Sequence, residues 1–252
     1  MSTDLAGTTR PSTTVTDAGP IRSGIVLRGG DGHDARDAEA VRRIFRATLL
    51  LGRPTPAGMH HGVLAAYERL CLDWYLRHGT VVLAERDGVT LGYLLACLDE
   101  AAHTRWLRGA ALRWVAVSAL ALLSGQLHGE TRRFVRARLR DGWHTWRRAP
   151  APVVPAHAHV NLLSGARAGR LGRDLARVMD DLVAAAGLPG WYGEMNVPPG
   201  RSLAAIERSG SAVVHRQPSH TFTGLLGVPV ERVTLARLVP VTPAPGPRPD
   251  PR

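Results

Sequence analysis

A strand pattern, a glycine-containing turn and a long helical pattern follow one another over residues 157–187, and this unit constrains the fold more than any other segment. The start of a helix exposes unpaired N–H groups and the positive end of the helix dipole, which together attract phosphate. An ordinary strand-to-helix turn has the same appearance, so the pattern alone leaves both interpretations open. The apolar stripe of the helix lies at three- and four-residue spacing. It consists of Leu171, Leu175, Val178 and Leu182.

Helical and strand patterns alternate along the rest of the chain, which predicts an α/β (α+β) fold with a mixed sheet. The clearest local signal is a β-hairpin, in which Asp87-Gly88 separates two apolar runs. In the first helix we expect a core stripe of Ala40, Ile44, Ala47 and Leu51. The predicted strands cover 25–28, 80–85, 91–98, 153–163, 191–197, 212–215 and 228–239. The predicted helices cover 34–51, 62–77, 104–124, 130–147 and 201–208, and a further long helix follows the turn at 166–172 and ends near 187.

Composition predicts one domain between two disordered tails. Residues 1–20 are rich in Ser, Thr and Gly, and residues 240–252 are rich in Pro, so neither segment can bury much apolar surface. The domain then spans 21–239, with a helical insertion at 101–150. No secretory signal and no apolar run long enough to span a membrane is apparent, and Cys71 and Cys97 fit buried free thiols. We therefore expect a cytoplasmic protein without a transmembrane segment.

All 32 basic residues are arginine, and the sequence contains no lysine. This excludes any chemistry that needs a lysine, such as a Schiff base, a P-loop, a protein kinase or a Ser-x-x-Lys hydrolase. The exclusion holds whether or not the bias merely reflects a GC-rich genome.

The segment PAHAHVNLLSGARAGRLGRDL and the order of elements resemble the GNAT superfamily of N-acetyltransferases, over residues 24–239. The family's loop has the form Arg/Gln-x-x-Gly-x-Gly/Ala, and one subgroup has the strand Pro-x-His-x-His-hydrophobic-Asp-x-x-Pro. The resemblance implies a mixed, mostly antiparallel central sheet flanked by helices, and an acyl-CoA-dependent N-acyltransferase that uses acetyl-CoA as co-substrate. It implies binding of the acyl and pantetheine part by backbone groups of Asn161, Leu162 and Leu163. It implies binding of the diphosphate by a cradle of Arg167, Ala168, Gly169, Arg170, Leu171, Gly172 and Arg173.

The chain departs from the family pattern at several positions. Arg170 stands in place of the middle glycine of the loop, and its backbone can serve only in a right-handed conformation. Asn161 replaces the aspartate of the subgroup, and Ser164 its proline. Ile206 stands where the family has a tyrosine that commonly protonates the CoA thiolate. The alternative is therefore a degenerate GNAT-like domain that binds acyl-CoA or a protein partner without turnover.

Direct acyl transfer needs a base beside the attacking amine. His157 and His159 share one face of the predicted strand because side chains alternate there, and histidine has a suitable pKa. We name His159 as the catalytic candidate, with Glu194 on the neighbouring strand as a second base acting through a water. Structural roles are open for both. We predict no metal site, because no third ligand lies at a suitable spacing from His157 and His159.

The insertion is strongly basic. Between residues 105 and 148 ten arginines stand against Glu130 and Asp141, which gives +8 of the formal net charge of +11. The apolar stripe of its second helix consists of Phe134, Val135, Leu139, Trp143 and Trp146. The pair could pack on the domain with a solvated basic face, select an acidic acceptor, or contact nucleic acid or an anionic membrane. No nucleic-acid motif accompanies the charge, so we expect a small-molecule or peptide amine as partner, with a homodimer left open.

Overall fold

A computed structural model describes residues 24–52, 55–56, 58–148, 154–167 and 170–240, without the side chains of Arg148 and Ala205. The predicted tails lie outside these residues, except for Pro240. The strands are β1 (Val26–Gly30), β2 (Thr80–Arg86), β3 (Val89–Cys97), β4 (Ala156–Leu162), β5 (Gly190–Val197), β6 (Ala212–Pro218) and β7 (Glu231–Leu238). The helices are α1 (Ala35–Thr48), α2 (His61–His78), α3 (Glu100–Leu123), α4 (Gly129–Arg148), α5 (Leu171–Ala185), α6 (Ala204–Glu207) and α7 (His220–Leu226).

Seven strands form one sheet in the order β1-β2-β3-β4-β5-β7-β6. Every neighbouring pair is antiparallel except β4 and β5, which are parallel and are connected through α5. The predicted α/β class, with a mixed and mostly antiparallel sheet flanked by helices, is confirmed. The hairpin is also confirmed, because Asp87 (φ 50°) and Gly88 (φ 75°) both adopt the left-handed conformation that suits a two-residue turn.

Helices cover both faces of the sheet. On one face the core contains side chains of α1, α2, α3 and α4 against alternate residues of β2 and β3, such as Leu83, Tyr93 and Leu95. On the other face α5 packs against the intervening residues, such as Val82 and Leu94. The two-helix insertion between β3 and β4 therefore adds to the same layer as α1 and α2.

Two predictions about helices are corrected by the packing. In α1 Ala47 is exposed, and the buried stripe runs through Val41, Ile44 and Phe45. The helix is rotated in this way because these three side chains pack into the core between the helices and the sheet. Helix α3 begins at residue 100 rather than 104. Its N-cap is Asp99, whose side chain accepts a hydrogen bond from the backbone N–H of Ala102 at 2.9 Å.

Helix α3 is the most exposed apolar element. Only 17% of its most apolar stretch of 18 residues is buried, and Leu112, Leu120 and Leu123 are exposed. By length and composition it is the one helix in the described structure that could cross a membrane, although its first half also carries Arg105 and Arg108. The face of this helix turned away from the core is thus apolar with basic residues at its start.

Helix α7 was not predicted, and a contact from the insertion explains why it forms. The Asp141 side chain in α4 accepts hydrogen bonds from the backbone N–H groups of His220 (2.7 Å) and Thr221 (3.1 Å) and from the Thr221 hydroxyl (2.7 Å). These bonds satisfy donors that the first turn of α7 leaves free. A cap supplied from 80 residues away leaves no local signal in the sequence.

We predict that Asp141→Ala lowers the free energy of unfolding by roughly 3 kcal/mol, because it leaves buried donors without a partner. Denaturant titration measures this, with exposed Asp181→Ala as control, which should change it by less than about 0.5 kcal/mol. Burial raises the pKa of Asp141, but the hydrogen bonds from Thr221 and His220 outweigh it, so the net pKa is lowered. The difference between wild type and variant should therefore be full above about pH 4 and shrink below it. Equal effects of both substitutions would contradict this role.

Candidate active site between the diverging strands

Strands β4 and β5 are paired over only two residue pairs, Ala156 with Trp191 and His157 with Tyr192. Both strands continue, β4 to Leu162 beside β3 and β5 to Val197 beside β7. Among the described residues no later pair joins them, so the sheet opens into a gap toward the carboxyl end of β4. In open sheets with parallel strands, ligands bind in the crevice at these ends.

The register of β4 decides which backbone groups line this gap. The N–H of Leu163 donates to the carbonyl of Leu91, in β3, at 2.9 Å. Asn161 and His159 lie two and four residues earlier, so their backbone groups also point toward β3. The backbone groups of Val160 and Leu162 therefore point away from β3, toward the gap. Of the three residues expected to hold the acyl and pantetheine part, Leu162 lies with its backbone on the gap side. The Asn161 side chain donates to the Tyr93 hydroxyl at 2.8 Å.

The start of α5 follows β4 after one short 3₁₀ turn (Ser164–Ala166). Arg170 is the residue before the helix, with right-handed φ −90° and ψ −11°, and its own side chain forms no capping hydrogen bond. The first hydrogen bonds of the turn join the N–H groups of Arg173 (2.8 Å) and Asp174 (3.0 Å) to the carbonyl of Arg170. The amides of Leu171 and Gly172 precede these bonds, as expected for an anion-binding helix start.

The surroundings of this helix start leave room for a ligand. Gly172 is exposed, and a Cβ added there would meet no atom within 4 Å among the described residues outside its own helix backbone. Arg167, Arg170 and Arg173 are exposed as well. The Nε of Arg167 donates to the carbonyl of Leu162 at 2.9 Å, which ties this arginine to the end of β4. The predicted cradle residues Ala168 and Gly169 lie outside the described residues.

His159 faces the core layer rather than open solvent. Its ring packs against Phe45 (6.1 Å between centroids), Tyr75 (5.9 Å) and Tyr93 (5.7 Å), and its Nδ1 is buried without a hydrogen-bond partner in the described structure. Desolvation, together with the neighbouring His157, lowers the pKa of His159 to about 4. The imidazole is therefore neutral near pH 7 and retains a free nitrogen lone pair.

Glu194 occupies the neighbouring strand, on the face that Tyr192 shares. The Tyr192 ring lies 5.3 Å from that of His157, which fixes this face as the one below α2 and α3. The Glu194 carboxylate forms an ion pair with Arg232 of β7, and about a third of its side chain is exposed. Glu194 therefore lies beside the gap with a basic partner on the next strand. Ile206, at the position expected for the acidic tyrosine, packs in an apolar cluster with Leu203 and Val233.

Sequence reasoning missed the polar groups that gather around His157. The His157 Nε2 contacts the Tyr75 hydroxyl and its Nδ1 contacts the Glu100 carboxylate at the start of α3. The available signal was Glu100-x-x-His103, two residues three apart on one helix face, which was hidden because α3 was expected to begin later. Burial raises the pKa of Glu100, but the hydrogen bond and charge of His157, together with the hydrogen bond from Thr104, favour the carboxylate, and the net pKa is lowered.

Part of the basic charge of the insertion has a structural role. The Arg138 guanidinium lies over the rings of Tyr67 (4.9 Å), Phe134 (5.5 Å) and Phe222 (5.1 Å), and so joins α2, α4 and α7. Arg147 similarly covers Trp143 at 4.1 Å. Arg138 therefore has a packing role against the domain, whereas the Arg147 contact lies on the exposed side of α4.

No protein-family model matches the chain, and no curated protein matches it in sequence. Solved structures with a similar fold include an agmatine N-acetyltransferase in its apo form (16% identity, TM-score 0.49, covering 86% of this chain and 100% of that chain). They also include yncA from Salmonella typhimurium with its cofactor acetyl-CoA (14%, 0.47, 88% and 98%) and a GCN5-related N-acetyltransferase from Kribbella flavida (13%, 0.47, 86% and 99%). Identities this low describe a likeness of fold and carry no inference about what this chain binds.

We predict that the desolvated His159 makes folding stability sensitive to pH. Because its folded pKa of about 4 lies below that of a free histidine, the unfolded chain takes up the proton first. Stability should be intact above about pH 6.5 and fall as the pH is lowered toward 4, with a slope of at most about 1.4 kcal/mol per pH unit from this residue. Denaturant titrations at several pH values across this range should show that the free energy of unfolding of His159→Gln depends less steeply on pH. Identical slopes would place the titration elsewhere.

Proposed function

We propose that this protein is an acyl-CoA-dependent N-acyltransferase that transfers acetyl from acetyl-CoA to an amine by direct attack in a ternary complex. The observation that carries the proposal is the gap between β4 and β5, which opens where their pairing stops and leads to the start of α5. A long ligand with an extended polar arm and a diphosphate fits such an arrangement. The arm can follow the free edge of β4, and the diphosphate can lie at the helix start.

The binding roles follow from the backbone. Amide and carbonyl groups of Val160 and the amide of Leu162 are available to the pantetheine amides on the gap side of β4. The amides of Leu171 and Gly172 are available to the diphosphate, with the exposed side chains of Arg170 and Arg173 adding charge. Because Arg170 is right-handed, replacing the family's middle glycine causes no strain here.

The reaction joins the amine nitrogen to the thioester carbonyl carbon, and the carbon–sulfur bond breaks. The amine proton passes to His159, whose neutral imidazole has a free lone pair, or through a water to Glu194. The CoA thiolate then takes a proton from solvent, because Ile206 provides no acid. We propose a small-molecule or peptide amine as acceptor, with acidic groups favoured by the basic insertion. Two free cysteines are consistent with the reducing cytoplasm as the site of action.

A second candidate is a domain that binds acyl-CoA without turnover. The apolar packing of Ile206 and the pairing of Glu194 with Arg232 favour it, because both reduce the acid–base groups available. Calorimetric titration with acetyl-CoA, followed by thiol release across a panel of amines, separates the two. Binding with amine-dependent thiol release supports the enzyme, and binding without release supports the second candidate. No binding would overturn both.

Gly172→Glu tests the diphosphate site, because it should weaken acetyl-CoA binding without lowering the stability of the fold. The new side chain has room, and a negative charge in the first turn suits the helix dipole, so stability should stay equal or rise by about 0.5 kcal/mol. The same charge should repel the diphosphate and weaken acetyl-CoA binding by at least roughly tenfold. Calorimetry and thermal unfolding measure both quantities. Gly109→Glu, at an open position of α3, is the matched control and should bind normally. Unchanged affinity of Gly172→Glu would place the diphosphate elsewhere.

His159→Ala tests the base. Turnover should fall by about 10²–10⁴-fold with little change in acetyl-CoA affinity, because the ring packs among Phe45, Tyr75 and Tyr93 rather than at the helix start. In wild type the rate of turnover should then decrease on the acid side of the pH profile near pH 4 rather than near pH 6.5. Stopped assays of thiol release measure both. Equal turnover in variant and wild type would remove His159 from the mechanism and leave Glu194 as the base.

A further inference from the structure

Four side chains with metal-ligating atoms meet at the base of the insertion: Cys97, Glu100, His103 and His157. One ligand atom from each lies within 4.8 Å of all the others. They come from the end of β3, the first turn of α3 and the start of β4. The cluster is separate from the helix start of α5, and no step proposed above uses it.

The backbone brings these residues together without any ligand. Cys97 and His157 are directly opposite each other in the antiparallel pairing of β3 and β4. Glu100 and His103 are three residues apart at the start of α3 and therefore share one face. The N–H of Glu100 also donates to the carbonyl of Pro155 at 3.2 Å, which holds the first turn of α3 against the chain entering β4.

Hydrogen bonding inside the protein leaves part of this cluster unsatisfied. His103 is 8% exposed, and its Nδ1 is buried with no hydrogen-bond partner among the described residues. The nearest carboxylate oxygen, Oε1 of Glu100, is 4.0 Å from it. A buried polar atom without a partner costs free energy and is uncommon in folded proteins. An ion between these atoms would give the His103 nitrogen a partner.

Polar side chains outside the cluster form hydrogen bonds to two of the candidate ligands. The Tyr75 hydroxyl contacts the Nε2 of His157, which fixes the ring and leaves Nδ1 facing Glu100. The Thr104 hydroxyl donates to Oε1 of Glu100 at 3.0 Å. Ligating histidines and carboxylates in metal proteins are oriented by such hydrogen bonds. A cluster held by hydrogen bonds alone would show the same contacts, so the test must distinguish it from a metal site.

The donor set matches one class of ion. A thiolate and two imidazoles favour zinc over magnesium or calcium, and one carboxylate completes four ligands. The thiolate and the carboxylate together neutralise a dication, so the loaded site would bury no net charge. In a tetrahedral zinc site ligand atoms lie roughly 3.5 Å apart, so the widest pairs, which lie within 4.8 Å, would need to close by up to about 1.3 Å, and the contacting Glu100 and His157 atoms would need to separate.

We propose that Cys97, Glu100, His103 and His157 form a structural zinc-class site that fastens the insertion to the sheet. All four ligands come from the protein, as in structural rather than catalytic zinc sites. On binding, the ion displaces the thiol proton of Cys97 to solvent.

The test uses the untagged full-length chain, stripped with a chelator and titrated with Zn²⁺ against a chromophoric competitor. We expect one equivalent to bind with a Kd below about 1 μM. Cys97→Ser and His103→Ala should each weaken binding by at least about 100-fold. Cys71→Ser and exposed His128→Ala are matched controls that should bind as wild type does.

Cobalt gives a readout that does not depend on the stability of any variant. The wild-type protein with Co²⁺ should show a thiolate-to-metal charge-transfer band in the near ultraviolet and tetrahedral d–d bands. The charge-transfer band should persist in Cys71→Ser and vanish in Cys97→Ser. Absence of that band in wild type, or Zn²⁺ affinity unchanged in both ligand variants, would overturn the proposal in favour of a hydrogen-bonded cluster. Acetyl-CoA binding is measured separately, so failure here leaves the proposed function standing.

Discussion

The parallel pairing of β4 with β5 stops after two residue pairs, and the candidate site depends on this limit. Before the stop, the two strands form a continuous sheet and hold His157 beside Tyr192. After it, each strand remains paired on its other edge, so the sheet stays intact while a gap opens inside it. The crossover through α5 then places a helix start at the end of β4, because a parallel neighbour requires such a connection. Contacts of Asp180 with Trp191 (2.8 Å) and Arg237 (2.8 Å) hold that helix against β5 and β7.

The insertion adds a second layer of constraints on the opposite face. Tyr67 of α2 packs edge-on against Trp114 of α3 and Phe134 of α4, so both inserted helices join the main core. Asp141 ties α4 to α7, which lies between β6 and β7. At the other end, Glu100 ties the start of α3 to His157 of β4. One end of the insertion therefore contacts β4, a strand that frames the gap, and the other end contacts α7. The proposed metal ligands would stiffen one of these two connections.

Local patterns in the sequence predicted much of the fold but little of the site. The Asp87-Gly88 turn and the apolar alternation around it are local, and the hairpin formed as expected. The right-handed conformation required of Arg170 is also met. By contrast, α7 and the contacts of His157 depend on partners between 57 and 82 residues away, which local spacing does not bring together. The burial of His159 shows the same limit, since strand alternation predicts a face but not the aromatic rings that desolvate it.

The most direct test of this account is an experimental structure of the protein with CoA bound. The account predicts that the diphosphate oxygens lie within hydrogen-bonding distance of the Leu171 and Gly172 amides, at roughly 3 Å. It also predicts that the pantetheine arm lies in the gap along the β4 backbone near Val160, with the sulfur on the side of His159. CoA bound elsewhere on the chain, or a gap closed by continued pairing of β4 with β5, would contradict the central claim.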